Sequence, residues 1–151
     1  MKVREACLAD AEELAHLRWE YSPEQVARGV QTLAEFRREF VAFIEASLSG
    51  GKGKIWCLDS GTGLRGNLYL QVIAKVPRPG EFANRWGYAT NVYVEPTFQN
   101  QGWGGQMIEA AVAWAKAEGL EFIILWPSSE SVGFYEDHGF IRSPDAMERH
   151  F

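Results

Sequence analysis

A strand gives way to a helix within residues 92–105, which read VYVEPTFQNQGWGG. Pro96 has no N–H for a strand ladder, so it ends the strand. The helix begins among Gly102, Gly104 and Gly105, where unpaired N–H groups and the helix dipole together favour phosphate. These glycines have no side chains to block a ligand. The turn therefore predicts a pyrophosphate site, although its glycines alone fit equally well a helix start that binds nothing.

Two better-known phosphate motifs fit this turn poorly. A P-loop needs Gly-Lys followed by Ser or Thr, whereas Gly104 and Gly105 are followed by Gln106. A dinucleotide-binding fingerprint needs an acidic residue at the end of a following strand, and no residue has that spacing. The P-loop is excluded, and a dinucleotide site is disfavoured.

The segments on either side of the turn predict a β-α-β unit. Residues 87–95 form a strong strand pattern, and Gly104 to Glu118 has an apolar face at helical spacing that Gly119 closes. Glu121 to Trp126 is almost entirely apolar, which is typical of a strand at a sheet centre that is covered on both sides. The unit therefore predicts a sheet with helices packed against it.

The rest of the chain extends this pattern. Asp10 is placed to cap the first helix, with Glu13 three residues later as in a capping box. The other predicted elements are strands at 3–6, 54–59, 67–76, 140–142 and 147–151, and helices at 33–48 and from Ser128 or Ser129 to Asp137. The order β-α-α-β-β-β-α-β-α-β-β predicts an α/β (α+β) fold in a single domain spanning residues 1–151.

Composition limits the class of protein. The chain has 151 residues, a net charge of −5 and no apolar run near the roughly 20 residues that span a bilayer. It has no basic stripe for nucleic acid and no signal-like start, so we expect a cytoplasmic protein that binds neither nucleic acid nor membrane. Cys7 and Cys57 form no disulfide framework, and the three histidines lack metal-ligand spacing, so we expect no metal.

Two motifs together resemble the GNAT acetyltransferase superfamily. The pattern Gln99-x-x-Gly102-x-Gly104 matches its pyrophosphate-binding signature Q/R-x-x-G-x-G/A, after a strand and at a helix start. Residues 131–140, SVGFYEDHGF, are similar to its Y-E-x-x-G-F segment. One helix and one strand separate the two motifs, as in the family. The resemblance is strong over residues 87–142.

The resemblance implies a fold and a set of roles. The fold is a GNAT-like mixed, mostly antiparallel sheet with a splay between its fourth and fifth strands. Acetyl-CoA is the implied co-substrate, and Tyr135 would protonate the departing thiolate, as a phenol of pKa near 10 is able to do. The implied cofactor-binding residues are Val92, Tyr93, Val94, Gln99, Asn100, Gln101, Gly102, Trp103, Gly104, Gly105, Ser128 and Phe134.

The sequence also departs from the family pattern. The turn has no Arg or Lys, so phosphate charge would be met by backbone amides and the helix dipole. Ser128 stands where the family often has Asn, and Trp103 replaces the usual Ile or Leu. An alkyl ammonium of pKa near 10.4 must lose a proton before it attacks. Asn91 and Glu95 are the candidates for the base or for a water relay, together with Thr90.

The resemblance therefore predicts an acetyl-CoA-dependent N-acetyltransferase that acts on a primary amine, most simply that of a small molecule. A protein or peptide acceptor and a non-catalytic CoA-binding module stay open, as do a longer acyl group and a homodimer. The candidates for an acceptor pocket are the aromatic residues Trp19, Tyr21, Trp86, Tyr88 and Trp126, bordered by the loop at 77–85.

Overall fold

The computed structural model describes residues 1–80, 85–143 and 149. The strands are β1 (Lys2–Glu5), β2 (Gly53–Asp59), β3 (Leu64–Ala74), β4 (Arg85–Val94) and β5 (Ile123–Ile124). The helices are α1 (Ala11–Glu20), α2 (Pro23–Ala27), α3 (Leu33–Ser49), α4 (Trp103–Ala117) and α5 (Val132–Asp137). Single turns of 3-10 helix, Leu8–Asp10 and Pro96–Phe98, precede α1 and follow β4.

The five strands form one sheet in the order β1-β2-β3-β4-β5. The first four pair antiparallel, and β5 lies parallel to β4. The β4–β5 ladder joins only Gly87 to Ile123 and Tyr88 to Ile124. Beyond Tyr88, no described strand pairs with this edge of β4. The predicted mixed, mostly antiparallel sheet with a splay between its fourth and fifth strands is confirmed.

Both faces of the sheet are covered by helices. On one face α4 packs over a cluster that includes Leu58, Leu68, Leu70, Ala89, Met107 and Ile108. On the other face Leu14 of α1 and Ile44 of α3 pack on the strands. The strand residues in this cluster are Ile55 and Cys57 of β2 and Leu64 and Tyr69 of β3. Each fully buried Leu or Ile contributes about 1.5–3 kcal/mol of apolar burial, so the two clusters hold the sheet between its helices.

The start of α1 differs from the prediction. The Asp10 side chain does not cap this helix. Its carboxylate accepts hydrogen bonds from both terminal nitrogens of Arg4, at 2.8 Å each, and from the Cys7 backbone N–H at 2.7 Å. Glu13 accepts instead from the Leu64 N–H, at 2.6 Å. The carboxylate of Asp10 therefore joins β1 to the turn before the helix, because a charged partner binds it more strongly than a free amide would.

The C-terminal elements also differ. The predicted strand at 121–126 is reduced to two residues at the edge of the described sheet, and Phe122 and Trp126 are exposed. Phe122 stacks on Trp86 and Trp126 meets Tyr88 edge-on, so the apolar side chains contact β4 rather than a further layer. Residues 140–142 are irregular rather than a strand. The strand predicted at 147–151 lies outside the described residues apart from position 149, which is in no element.

Helix α3 forms as predicted, and its start shows why. Thr32 and Glu35 make a capping box, in which the Thr32 hydroxyl accepts from the Glu35 N–H and the Glu35 carboxylate accepts from the Thr32 N–H. The short helix α2 was not predicted. It begins at Pro23, a residue favoured in the first helical turn because its missing N–H would be unpaired there anyway.

Candidate active site

A bulge interrupts β4 beside the splay. Asn67 of β3 pairs with Tyr93 while Tyr69 pairs with Thr90, so β4 has one extra residue across this interval. Asn91 takes up the extra residue with φ 56°, a left-handed conformation that asparagine tolerates better than most residues. Asn67 is 1% exposed, and its side-chain amide donates to the Asn91 carbonyl. The bulge is therefore held by a buried side chain on the neighbouring strand.

The bulge changes which side chains of β4 face each helix layer. Ala89 and Val92 both pack on the cluster under α4, although Val92 is three positions after Ala89 rather than the two of a regular strand. Tyr93 consequently faces the α1 side, where its ring lies 4.3 Å from that of Tyr21 between centroids. Asn91 lies at the position where the side chains of β4 change faces. A strand without the bulge would reverse this arrangement from Val92 onward.

The loop after β4 uses its own amide side chains. Gln99 donates to the Val94 carbonyl at 2.8 Å, and Gln101 donates to the Thr97 carbonyl at 3.1 Å. Both side chains therefore hold the loop to the strand end and to itself. Asn100 and Gly102 have φ of 59° and 83°, which turns the chain into α4. Backbone N–H groups, rather than the glutamine side chains, are left to face a ligand.

The first turn of α4 has no side-chain cap. Gly102 is the N-cap residue, and no side chain accepts from the N–H groups that follow it. The Gln106 N–H donates to the Gly102 carbonyl at 3.1 Å, so the helical ladder begins there. The amides of 103 to 105 consequently have no intrahelical acceptor. Together with the dipole of a 15-residue helix, they make a site suited to an anion.

The three glycines of this turn have different reasons to be glycine. Gly102 has open space around it but a positive φ. A Cβ on Gly105 would lie 2.7 Å from the His138 ring, and one on Gly104 would lie 3.3 Å from Phe134. The sequence alone explains all three by close approach of a ligand. The packing of α5 on the start of α4 instead accounts for Gly105.

Tyr135 lies on α5, half-buried between the rings of Phe134 and Phe140 at 5.1 and 5.8 Å. Burial raises its pKa above the usual value, and the nearby Tyr21 raises it further. Gly139, at φ 80°, lets the chain turn so that the Phe140 N–H donates to the Tyr135 carbonyl. The hydroxyl therefore stays protonated at neutral pH and is able to donate a proton or a hydrogen bond.

Tyr21, at the end of α1, contacts Tyr93 beside the bulge in β4. The apolar periodicity of the sequence does not reveal this contact. Burial, Glu95, Glu20 and then Tyr21 raise the pKa of Tyr93. Tyr21 thus lies close to Tyr93 and acts on Tyr135 as well. The other aromatic candidates pack elsewhere: Trp19 on Phe36, Trp86 on Phe122 and Tyr88 on Trp126. Of the predicted acceptor residues, Tyr21 is the one that the described contacts bring to the bulge.

The contacts of three other predicted site residues, Glu95, Ser128 and Trp103, are as follows. The Glu95 carboxylate lies 3.3 Å from Arg65, and the Glu95 N–H donates to the Arg65 carbonyl at 2.8 Å. Ser128 is exposed and donates to the Ser131 hydroxyl at 3.0 Å. The Trp103 indole N–H is buried and has no acceptor among the described residues. Trp103 itself packs on the α4 cluster, which fixes the start of the helix.

Two negative findings apply to the described residues only. None of their helices is long and apolar enough to cross a membrane. Across 1–80, 85–143 and 149, no three or more His, Cys, Asp or Glu side chains come together as a metal site would require.

The chain resembles known proteins in sequence and fold. The family model described as acetyltransferase (GNAT) domain matches residues 33–142. A search of curated proteins finds no match.

Solved structures match almost the whole chain. A predicted acetyltransferase with acetyl-CoA from Clostridium acetobutylicum has a TM-score of 0.79 at 21% identity, over 99% of this chain and 95% of that one. A transcriptional regulator from Bacillus halodurans C-125 has a TM-score of 0.77 at 20% identity, over 99% of both chains. Glucosamine-6-phosphate N-acetyltransferase from Arabidopsis thaliana has a TM-score of 0.72 at 21% identity, over 99% and 97%. At these identities the likeness establishes the fold.

Proposed function

The chain belongs to the GNAT acetyltransferase family and is therefore an acyltransferase, and from its site we propose that it transfers the acetyl group of acetyl-CoA to the primary amine of a small molecule. The observation that carries this proposal is the splay. The β4–β5 ladder ends at Tyr88, and the strand continues to Val94 with no described strand on that edge. It then leads through one loop into the uncapped start of α4.

The residues along this edge fit acetyl-CoA. The backbone of Val92, Tyr93 and Val94 would pair with the pantetheine arm as a strand does, and the amides of residues 100–105 would bind the pyrophosphate. Phe134 lies against Gly104 at the same helix start. Because the turn has no cationic side chain, backbone amides and the helix dipole would supply the attraction for phosphate.

The chemistry is a direct transfer. The amine nitrogen attacks the thioester carbonyl carbon, a C–N bond forms, and the C–S bond breaks. The departing thiolate takes its proton from the Tyr135 hydroxyl, which burial keeps protonated, and the resulting phenolate regains a proton from solvent before the next turnover. Holding amine and thioester together supplies about 7 kcal/mol or more of the rate acceleration when the alignment is good.

A water relay is the better route for the proton that the amine must lose. Glu95 is already paired with Arg65, which leaves its carboxylate less free to accept a proton. Asn91 and Thr90 lie at the bulge itself, where a carbonyl and a hydroxyl are able to order a water. We assign the relay to this pair and treat Glu95 as a structural residue.

Thiol release from acetyl-CoA, measured with a panel of small amines and N-terminal peptides, tests the function. We expect turnover with small amines; turnover with peptides only would favour the protein acceptor. No turnover with any amine, together with a rise in melting temperature on adding acetyl-CoA, would indicate a CoA-binding module.

The variant pair Gly104→Asp and Gly104→Ala tests the phosphate site. The aspartate adds a negative charge where phosphate would sit, yet it suits the start of a helix and should preserve the fold. We expect Gly104→Asp to lose the thermal shift with acetyl-CoA and Gly104→Ala to keep most of it. Equal binding by both variants would place the phosphates elsewhere.

A further inference from the structure

Arg18 stands out among the arginines of the chain. It lies in the last turn of α1 and is half-buried. Its guanidinium lies 5.3 Å from the centroid of the Tyr21 ring, and within the described part of the chain its side chain has no ion pair and no hydrogen bond. By contrast, carboxylates pair with Arg4, Arg37, Arg65, Arg85 and Arg142. A half-buried cation without an anion is unusual because burial removes water that would otherwise solvate it.

A second polar group without a partner lies close by. Tyr69 is 4% exposed, and its hydroxyl has no hydrogen-bond partner among the described residues. Burial raises the pKa of Tyr69, while the positive charge of Arg18 opposes that rise, so the two groups are within electrostatic reach of each other. Buried hydroxyls are nearly always hydrogen-bonded in native proteins. Tyr69 also packs in the same buried cluster as Leu14, which lies one helical turn before Arg18 on α1. An unpartnered donor and an unpaired cation on the same side of the sheet are suited to an anion.

The position of the two groups relates them to the bulge. Tyr69 pairs across the sheet with Thr90, the residue before the bulge at Asn91. Tyr21, which stacks under Arg18, contacts Tyr93 on the far side of the bulge. Arg18 and Tyr69 therefore lie on the α1 side of β4, opposite the face that α4 covers, and we take this to be the side from which the amine reaches the acyl group.

We propose that Arg18, together with the Tyr69 hydroxyl, binds an anionic group of the amine acceptor, either a carboxylate or a phosphate. The inference rests on the proposed acetyl transfer and adds the class of acceptor. Guanidinium binds both groups through paired N–H donors, and a phenol adds one more donor. The net charge of −5 would otherwise disfavour such an acceptor, so a local cation is needed to select it.

Acceptors that differ only in the anion test the proposal. The panel consists of ω-amino acids from glycine to 6-aminohexanoate, alkylamines of the same lengths, and O-phosphoethanolamine as the phosphate arm. We expect the best anionic acceptor to have a KM about 10-fold or more below that of its alkylamine, as a charge-assisted hydrogen bond allows. The carboxylate and phosphate arms show which group fits. Equal KM values across the panel would overturn the proposal.

Variants separate recognition of the acceptor from structure. Arg18→Gln should raise the KM for the anionic acceptor to that of the alkylamine, while the acetyl-CoA KM and turnover of the alkylamine stay unchanged. Tyr69→Phe should give a smaller loss of the same kind. Arg38→Gln, which removes an exposed arginine from α3, is the matched control and should change nothing. If Arg18→Gln folds poorly, Arg18→Lys keeps the charge and should retain part of the preference.

Binding provides a readout that does not depend on catalysis. Calorimetry of the CoA-saturated protein with 6-aminohexanoate and with hexylamine compares the two ligands directly. If no amine is acetylated, the proposed function fails. Tighter binding of 6-aminohexanoate that is lost in Arg18→Gln would then still support the anion site. Binding that is equal for both ligands, or unaffected by Arg18→Gln, would mean that Arg18 only stacks on Tyr21 at the end of a helix.

Discussion

Replacing Asn67 by leucine would test whether the bulge in β4 positions the reacting groups. Asn67 is 1% exposed, and its amide donates to the carbonyl of Asn91, the bulged residue. Leucine is of similar size but has no donor. The change therefore removes the hydrogen bond while leaving the space largely filled, and it should act on the bulge more than on the core.

The expected loss of stability is modest. A carbonyl that loses its donor in a buried setting costs about 1–3 kcal/mol. The effect on catalysis should be larger, because a displacement of roughly 1 Å in a reacting group is able to cost about 100-fold in rate. With the bulge no longer held, the backbone of residues 92–94, which would pair with the pantetheine arm of acetyl-CoA, is free to shift. We expect kcat to fall by about that factor and the acetyl-CoA KM to rise.

Urea unfolding and steady-state kinetics on the same samples provide the measurement. The control is Ile44→Ala, which truncates a fully buried side chain of α3, a helix that packs on α1 and β2, and should cost about 2–5 kcal/mol. Assayed well below its melting temperature, that variant should keep its kcat. The explanation fails if Asn67→Leu loses stability yet keeps both kinetic constants, or if Ile44→Ala loses activity in equal measure.

Two further predictions concern protonation. Tyr135→Phe should lower kcat by about 100-fold or more with little change in acetyl-CoA KM, because only the departing thiolate loses its proton donor. An unchanged kcat in the variant would remove Tyr135 from the mechanism. In the unmutated protein, the raised pKa of Tyr135 predicts that deprotonation of this group causes no loss of kcat up to about pH 10. Asp10 has a pKa lowered to about 2, first by its hydrogen bonds with Arg4. Because its pKa is lower in the folded protein, ionised Asp10 stabilises the fold at pH values above its unfolded pKa near 4, and this stability is lost as the pH falls through 2. Asp10→Asn should therefore cost about 2 kcal/mol at neutral pH in denaturant unfolding and almost nothing near pH 2; a constant difference across that range would contradict the ion-pair explanation.

Much of the architecture follows from local pattern. The apolar spacing of α3 depends on residues within one helix, and it predicts the helix to within a residue of its observed bounds. The β-branched strands β2, β3 and β4 and the glycine turn into α4 are equally local signals. The splay is implied by the family resemblance alone, since the run at 121–126 is almost entirely apolar and predicts a longer strand. Where β5 leaves β4 depends on aromatic contacts across the sheet edge, which no local pattern encodes.

The bulge was beyond prediction for a related reason. Nothing around Asn91 indicates a positive φ, because its conformation depends on an amide supplied by Asn67 on another strand. The same holds for Asp10, whose pattern fits a capping box in isolation. Its carboxylate is taken by Arg4, which the fold brings within 2.8 Å. Interactions between charged or buried polar groups across elements override a local preference of about 1 kcal/mol.

The glycines of the turn show how one pattern serves two purposes. Gly102 needs its positive φ to lead the chain into α4, and the amides that follow it have no cap. Gly105 is buried against His138, and that contact fixes α5, and with it Tyr135, relative to the helix start. A Cβ at position 105 would meet the His138 ring at 2.7 Å, so packing as well as ligand approach favours glycine there. The requirement for glycine there links the candidate phosphate site to the candidate acid, so the distance between them is set by packing rather than by the ligand.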